Sequence, residues 1–260
     1  MKKISIVCLA MVSLFVLSCK ERNRPMTIGH RGAAGYETEN SIPSIKKAID
    51  LGVDAIEIDV FKIKSGEVVV FHDDNLKRLA GFDVHIEDLT LEDLNKVQLK
   101  NGSQIPQLHQ VLDIIDNKVR LNIELKGANT AEPVHAIIQD YITSKNWSTE
   151  SFIISSFKWD ELKKMRALDK NVPIAVLISE DPLNALDLAD ELKAEAINPH
   201  YKKLTGVNVE VIQERGFKVY PWTVNNPEDI QLMKDFKVDG IISDYPDRVH
   251  ANVENLQPAL

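Results

Sequence analysis

The chain has 260 residues, 44% of them apolar, and a formal net charge of −8 at neutral pH. This acidity excludes a general nucleic-acid binder, which needs a basic face, although one basic pocket for a single phosphate is compatible with it. The apolar fraction is ample for a packed core. Both cysteines, Cys8 and Cys19, lie close to the start, so the rest of the chain has no disulfide and no cysteine metal site.

The first 18 residues have the pattern of an export signal, because two lysines precede an apolar run. At about 15 residues, this run is too short to span a bilayer. It ends at a small residue before Cys19, which resembles the bacterial lipobox, where the chain is cleaved before the cysteine and the cysteine is lipidated. We therefore expect a lipoprotein signal peptide at 1–18, a tether at 19–25 and a domain at 26–260. An ordinary signal peptide with a chance cysteine is the alternative.

The domain begins with apolar runs that are separated by turns and by one helical pattern. A first strand is predicted at Met26–His30, and Ser41–Leu51 has apolar residues at helical spacing. A second strand is predicted at Asp54–Ile63 and a further extended run at Glu67–His72. The mixed region Asp73–Ser103 indicates an insertion over the top of the fold, and so long a loop is usually functional.

From Leu108 onward, strand-like runs alternate regularly with amphipathic helices. The predicted strands are Val119–Lys126, Phe152–Ser156, Pro173–Ser179, Ala194–Asn198, Phe217–Val224 and Gly240–Ser243. The predicted helices are Glu132–Thr143, Lys158–Leu168, Pro182–Leu192, Asn208–Glu214 and Pro227–Phe236. Eight β-α units in about 240 residues predict one α/β domain, a (β/α)8 TIM barrel with a small insertion after the second strand region.

Two carboxylates share one face of the second predicted strand. Glu57 and Asp59 are two residues apart, so their side chains point the same way out of an otherwise apolar run. Glu124 and Lys126 end the next strand of the barrel. Three acids against one lysine leave an excess of negative charge, which a divalent cation held by oxygen ligands would compensate. Oxygen ligands favour one Mg²⁺ or Ca²⁺ ion over zinc, and salt bridges inside a packed barrel are the alternative.

Two histidines end strand-like runs, at the positions where a TIM barrel places its active site. His30 follows the first strand, and His72 follows the extended run after the second. Two imidazoles that titrate near neutrality suit a proton-transfer role, and a pair of satisfied core histidines is the alternative. Arg31 has the planar donor fork that matches phosphate oxygens, and a structural ion pair with a nearby acid is its alternative.

The polar motifs, in their order and spacing, resemble those of the glycerophosphodiester phosphodiesterases, TIM-barrel enzymes that share a superfamily with the phosphatidylinositol-specific phospholipases C. The motifs are His30-Arg31-Gly32, Glu39-Asn40, Glu57-x-Asp59, His72-Asp73, Asn122-x-Glu124-x-Lys126, Trp222-Thr223-Val224-Asn225 and Ser243-Asp244-Tyr245-Pro246. The resemblance implies that general acid/base catalysis is performed by His30 and His72. It implies that the metal is held by Glu57, Asp59 and Glu124. It implies that phosphate or substrate is bound by Arg31, Lys126 and Trp222.

Two positions depart from the family pattern. Thr38 stands where the family has Pro before Glu39, so Glu39 is expected to organise the loop or to lie near the metal in a supporting role. Arg78 is followed by Leu79, where many family members have Thr. This difference leaves the contacts of the insertion, and with them the choice of substrate, open.

The resemblance implies metal-dependent hydrolysis of small glycerophosphodiesters to sn-glycerol 3-phosphate and an alcohol. The same chemistry on an intact phospholipid or on a teichoic-acid-like polymer is one alternative, and a binding lipoprotein without turnover is another. The lipobox adds the expectation of an exported bacterial lipoprotein, periplasmic or on the cell surface, that contacts the membrane only through Cys19. Nothing in the sequence indicates the oligomeric state.

Overall fold

Strands and helices alternate through residues 24–250, the part of the chain that the computed structural model describes. The predicted signal peptide, Cys19, most of the tether at 19–25 and residues 251–260 of the predicted domain lie outside this range. Within residues 24–250, no helix is both long enough and apolar enough to cross a bilayer.

The described chain forms nine strands and ten α-helices, with short 3₁₀ turns between some of them. The strands are β1 (Met26–Gly29), β2 (Ala55–Lys62), β3 (Val68–Val70), β4 (Arg120–Leu125), β5 (Phe152–Ser156), β6 (Ile174–Ile178), β7 (Ala196–Pro199), β8 (Lys218–Val219) and β9 (Gly240–Ser243). The helices are α1 (Ile42–Asp50), α2 (Lys77–Ala80), α3 (Leu91–Leu94), α4 (Leu108–Ile115), α5 (Ala131–Ser144), α6 (Trp159–Leu168), α7 (Leu186–Leu192), α8 (Gly206–Glu214), α9 (Pro227–Asp235) and α10 (Pro246–His250).

Eight of the strands form a parallel barrel. Their order is β8-β7-β6-β5-β4-β2-β1-β9, and neighbours along this path pair in parallel. Backbone hydrogen bonds close the barrel between the two end strands, because the amide of Asp239 donates to Val219 O. The amide of Val224 likewise donates to Ile242 O. β3 pairs with β2 in the antiparallel sense, outside this path. The predicted (β/α)8 TIM barrel is therefore confirmed.

The predicted strand Phe217–Val224 is regular only over β8. Pro221 has no N–H group to donate to a neighbouring strand, so the regular ladder ends before it. The amide of Ile242 nevertheless donates to Pro221 O, and the backbone stays in the barrel wall. The segment therefore delivers Trp222 to the carboxyl-terminal end of the barrel without being a regular strand there.

Alternation along β2 explains how the barrel combines an apolar core with a polar end. Ile56 and Ile58 point outward and are fully buried in the main core between strands and helices. The inward face begins with Ala55, which packs with apolar side chains of other strands inside the barrel. It continues with Glu57 and Asp59, both buried. The interior is thus apolar at the amino ends of the strands and polar at their carboxyl ends.

The insertion has a small core of its own. It contains α2, α3 and a short 3₁₀ turn. Its side chains Leu76, Ile86 and Leu94 are almost fully buried and cluster with Phe61 and Phe71, which belong to the β2–β3 region. This packing attaches the insertion firmly to the barrel, so α2 has a fixed position beside the strands' carboxyl ends.

Candidate active site

Three buried carboxylates meet at the carboxyl ends of β2 and β4. The two strands pair so that Asp59 lies beside Glu124, and Glu57 lies beside Asn122. Among the described residues, Glu57, Asp59 and Glu124 form a group that could hold a metal ion, because one oxygen of each lies within 4.8 Å of the others. We call these three residues the acidic cluster. The register of two neighbouring strands thus brings the three predicted metal ligands together.

The acidic cluster contains more negative charge than its neighbours compensate. Burial, and then the charges of Asp59 and Glu124, raise the pKa of Glu57 well above its ordinary value. Burial and the charge of Asp59 raise the pKa of Glu124 to about 7. Lys126 Nζ lies 3.1 Å from Glu124 Oε1, and Arg31 Nε lies 3.3 Å from Asp59 Oδ2. Two cationic side chains thus neighbour three acids, so part of the negative charge is left for a further cation to compensate.

A divalent cation fits the acidic cluster. All three members offer hard oxygen donors, which Mg²⁺ and Ca²⁺ prefer. Two carboxylates are oriented from outside: the amide of Arg31 donates to Glu57 Oε2 at 2.9 Å, and Asn40 Nδ2 donates to Asp59 Oδ2 at 2.8 Å. Such outer hydrogen bonds are typical around metal ligands. The buried Oδ1 of Asp59 accepts no hydrogen bond from the described residues, so it is available to a cation.

His30 directly follows β1 and is oriented by a carboxylate that follows the last strand. Its Nδ1 lies 2.6 Å from Asp244 Oδ1. Because an ionised carboxylate only accepts hydrogen bonds, Nδ1 carries the proton. Nε2 lies 4.0 Å from Glu57 Oε2, toward the acidic cluster. Asn225 holds Asp244 in place, since its Nδ2 donates to Asp244 Oδ2 at 2.6 Å.

The role of Asp244 is one that sequence reasoning missed. Its place follows from the closure of the barrel, since β9 pairs with β1 so that Ser243 lies beside Gly29. The residues after each strand, Asp244 and His30, are therefore neighbours. Burial disfavours the charged form of Asp244, but the hydrogen bond and charge of His30 outweigh it and lower the pKa of Asp244. The available signal was an acid directly after the last predicted strand.

His72 lies shortly after β3, between a carboxylate and an ammonium group. Its Nδ1 lies 2.7 Å from Asp73 Oδ1, and its Nε2 lies 3.3 Å from Lys126 Nζ. A lysine ammonium only donates hydrogen bonds, so Nε2 is unprotonated and the ring is neutral in this arrangement. Burial lowers the pKa of His72, and the charge of Arg31 acts in the same direction against the opposing charge of Asp59.

Arg31 contacts both the acidic cluster and Glu39. Its Nη1 donates to Glu39 Oε1 at 2.8 Å, while its Nε faces Asp59. Arg31 thus forms ion pairs with nearby acids and also lines the cleft. Glu39 contacts a second arginine, Arg78, and is not part of the acidic cluster. The structure therefore places Glu39 in a group of ion pairs at the side of the site.

Both histidines line one cleft, of about 90 Å³. Every predicted catalytic, metal-binding or substrate-binding residue in the described range lines it, apart from Asp59, which is fully buried. The supporting residue Glu39 does not line it either. Trp222 forms part of the wall, with its ring edge-to-face against Phe157 and His200 at centroid distances of 5.3 and 5.0 Å. These contacts give the cleft a rigid aromatic side.

A larger cavity, of about 550 Å³, lies at the other end of the barrel. It is lined by Arg24, Met26, Lys218 and Asp239 among others, at the amino ends of β1, β8 and β9. None of the predicted catalytic or metal-binding residues lines it. The smaller cleft, which contains the titratable groups, is therefore the candidate active site.

Comparison with known proteins agrees with this site. The model of the Glycerophosphoryl diester phosphodiesterase family matches residues 30–248. The glycerophosphodiester phosphodiesterase of Caldanaerobacter subterraneus subsp. tengcongensis is 32% identical over 233 residues, covering 86% of this chain and 96% of that relative. The enzyme of the same name from Bacillus subtilis is 31% identical over 252 residues, covering 88% of this chain and 86% of that relative.

The fold is shared with solved structures as well. An Oleispira antarctica phosphodiesterase in complex with the product sn-glycerol-3-phosphate has a TM-score of 0.80 at 26% identity, and the match covers 87% of this chain and 96% of that one. A Thermotoga maritima glycerophosphodiester phosphodiesterase has a TM-score of 0.71 at 30% identity, covering 85% of this chain and 96% of that one. The chain therefore belongs to the glycerophosphoryl diester phosphodiesterase family and is a TIM-barrel phosphoric diester hydrolase.

Proposed function

We propose that the protein hydrolyses small glycerophosphodiesters to sn-glycerol 3-phosphate and an alcohol, with His30 and His72 as proton-transfer groups and one divalent cation at the acidic cluster. The observation that supports this most is the composition of the cleft, which combines two carboxylate-paired imidazoles with cations and with the acidic cluster. The similar Oleispira antarctica phosphodiesterase is in complex with sn-glycerol-3-phosphate, which supports the same product here.

Each histidine would transfer its proton through Nε2, the same ring atom in both. In each, a carboxylate engages Nδ1, so Nε2 is the atom that would meet the substrate, and in His72 this atom now accepts from Lys126 Nζ in the cleft. One Nε2 removes the proton of the attacking hydroxyl, which belongs either to water or to the substrate's own 2-OH, the latter by way of a cyclic phosphate. The other histidine would begin the step as an imidazolium, with protons on both ring nitrogens, and would donate its Nε2 proton to the leaving alkoxide. On the cyclic-phosphate route, water would then open the ring with the two proton-transfer roles exchanged. Each such transfer typically contributes about 10²- to 10⁴-fold to the rate.

The chain's own cations would stabilise charge on the phosphoryl oxygens. Arg31 and Lys126 line the cleft, and both are held in place by acids, with Lys126 Nζ 3.1 Å from Glu124 Oε1. Cations that are positioned before the reaction stabilise the transition state without reorganising. The cation that Glu57, Asp59 and Glu124 would hold, Mg²⁺ or Ca²⁺, supplies neutralisation of phosphoryl charge when bound.

An assay of the purified protein with glycerophosphocholine, glycerophosphoethanolamine and glycerophosphoinositol tests this proposal. Release of sn-glycerol 3-phosphate is expected with Mg²⁺ or Ca²⁺. EDTA is expected to abolish turnover, and adding the cation back is expected to restore it. A catalytic metal lowers the activation free energy by several kcal/mol, which is at least about 10²-fold in rate. Unchanged turnover in EDTA would contradict the metal role, and binding without turnover would identify a binding lipoprotein.

The rival substrates are separated in the same experiment. Vesicles of intact phospholipid and a teichoic-acid-like polymer are assayed beside the small diesters, with phosphate esters measured as products. Small diesters are expected to turn over fastest, because they need only the polar groups of the cleft, whereas an intact phospholipid also needs an apolar surface for its acyl chains. Faster turnover of vesicles or polymer than of every small diester would reassign the substrate class while leaving the chemistry intact.

We also propose that residues 1–18 are removed and that Cys19 is lipidated, which would make the protein an exported bacterial lipoprotein at the periplasmic or cell-surface side of a membrane. The basic start, the apolar run and the cysteine directly after it support this. Expressed in a bacterium, the wild type is expected in the membrane fraction with a mature mass that begins at a diacylated or triacylated Cys19. The Cys19→Ser variant is expected to leave that fraction. An unmodified Cys19 in soluble mature protein would identify an ordinary signal peptide.

A further inference from the structure

We infer that Arg78, on the insertion, is a positioning residue that fixes His72 and Arg31 through the two carboxylates of Asp73 and Glu39. The inference rests on the proposed proton-transfer role of His72. Arg78 lies in α2, is itself about half exposed and does not line the cleft. It therefore acts on the site through other residues and not by touching the substrate.

The guanidinium of Arg78 contacts two acids at once. Nη1 and Nη2 donate to the two oxygens of Glu39 at 2.7 and 2.6 Å. Nε and Nη2 donate to the two oxygens of Asp73 at 2.6 and 2.9 Å. Both contacts are the paired kind for which a planar fork is suited, so the position of each carboxylate is defined in direction as well as distance.

Each of the two acids then contacts a residue of the cleft. Asp73 Oδ1 lies 2.7 Å from His72 Nδ1, and Glu39 Oε1 accepts from Arg31 Nη1 at 2.8 Å. Arg78 is therefore the common partner of both carboxylates behind His72 and Arg31. Without it, Asp73 and Glu39 would face each other as two like charges, and each would lose its fixed orientation.

The hydrogen bonds of Arg78 also fix the ionised Asp73, which is the acceptor that orients His72. Burial opposes ionisation of Asp73, but hydrogen bonds from Arg78 and His72 lower its pKa to about 2. An ionised Asp73 accepts only, so it selects the His72 ring with its proton on Nδ1 and leaves Nε2 for the cleft. Arg78 in this way holds the acceptor that selects the tautomer of the ring, and it offsets the negative charge that Asp73 places beside the ring.

The insertion core explains why Arg78 can do this. The residue before α2, Leu76, is 1% exposed within that core, and Leu79 packs against it. α2 itself has four residues and no buried side chain, so this core and not the helix holds Arg78 in place. The insertion therefore contributes Arg78 to the site, and this arginine connects the loop that contains Glu39 with the loop that contains Asp73.

Arg78→Gln, Arg78→Lys and the matched control Lys77→Gln test the inference. Lys77 is the neighbouring cation of the same helix, and its exposed side chain pairs with Asp83 at 2.9 Å. We expect Arg78→Gln to lower kcat by about 10- to 100-fold, as is typical for outer partners of a site, with a smaller change in KM. Arg78→Lys should recover only part of kcat, since one ammonium cannot pair with two carboxylates as a fork does. Lys77→Gln should match the wild type.

A second measurement, the NMR titration of the His72 ring, does not depend on turnover. The charged groups that act on His72 are Asp59, Asp73, Arg31 and Lys126. Loss of the Arg78 cation leaves Asp73 without its second partner, so the pKa of His72 should rise in Arg78→Gln. The limb of the kcat profile that reports His72 should move to higher pH with it: the acid limb if His72 is the base, and the alkaline limb if it is the acid. Lys77→Gln should shift neither.

The outcomes separate this inference from the proposed function. A wild type without turnover would defeat the proposed function, whereas the NMR comparison would still report on Arg78. Equal His72 titrations in wild type and Arg78→Gln would overturn the inference. So would a loss of kcat that follows the fall in thermal stability and is equal in Lys77→Gln, because that pattern is expected of a merely structural residue.

Discussion

Replacing His30 with alanine is expected to lower kcat for a glycerophosphodiester by about 10²- to 10⁴-fold. The imidazole has Asp244 on Nδ1 and presents Nε2 toward the acidic cluster, an arrangement suited to moving one proton in each turnover. KM should change much less, because the loss concerns the transition state and not the binding of substrate. The measurement is steady-state kinetics with saturating cation, together with circular dichroism to verify the fold.

The same experiment includes two comparisons. His85→Ala should leave kcat unchanged, since this histidine is on the insertion surface with its side chain 61% exposed. His72→Ala should lower kcat about as much as His30→Ala. The double variant should lower kcat little more than the worse single variant, because the effects of removing two groups that act in one reaction are not additive. Wild-type kcat in His30→Ala would remove the acid/base assignment.

Glu57→Gln is expected to abolish most of the activity and at the same time to stabilise the metal-free protein. The amide is close in shape to the carboxylate but holds a divalent cation far less well. The rate should therefore fall by at least about 10²-fold, because a catalytic metal stabilises the transition state by several kcal/mol. In the metal-free state, however, Glu57 is a buried acid beside Asp59 and Glu124. Neutralising it relieves their mutual repulsion.

The sign of the stability effect follows from the raised pKa of Glu57, for which burial is the first cause and the charges of Asp59 and Glu124 follow. A carboxyl whose pKa is higher in the folded state does not lower the free energy of unfolding at a pH below its unfolded pKa, near 4.5. As the pH rises above that value, the unfolded state loses its proton first and folding becomes less favourable. At pH 7 in EDTA, Glu57→Gln should therefore melt at a higher temperature than the wild type.

Thermal melts in EDTA and in excess Mg²⁺ or Ca²⁺ measure both parts of this prediction. The wild type should be stabilised by the cation through mass action, whereas Glu57→Gln should not respond. Glu92→Gln, at an exposed glutamate of the insertion that pairs with Lys96, is the matched control and should behave as the wild type in every condition. An equal response to the cation in Glu57→Gln and wild type would place the metal elsewhere.

The parts of the site that could be predicted from sequence are those that lie on one strand or directly after one. Two-residue spacing put Glu57 and Asp59 on the same face, and the end of an apolar run marked His30. The barrel converts these local patterns into one site because the carboxyl ends of its parallel strands meet. For the same reason Glu124, on a strand with no sequence proximity to β2, pairs beside Asp59.

The parts that could not be predicted depend on register and on loop geometry. Asp244 reaches His30 only because β9 pairs with β1 and closes the barrel, and no spacing in the sequence states that pairing. Arg78 meets Glu39 and Asp73 only because the core of the insertion places α2 there. Its neighbour Leu79 marks a departure from the family pattern, but the contacts of Arg78 itself needed the three-dimensional structure.

The two unlike ends of the barrel have a consequence for how the enzyme would meet its surroundings. All eight barrel strands run the same way, so Arg24 and the start of β1 lie at the end opposite the catalytic mouth. Four residues lie between Cys19 and Arg24, so these two positions can be no more than about 18 Å apart. A lipid on Cys19 would hold the non-catalytic pole against the bilayer and turn the mouth outward. Such an orientation favours capture of dissolved diesters from the surrounding fluid over headgroups in the anchoring membrane.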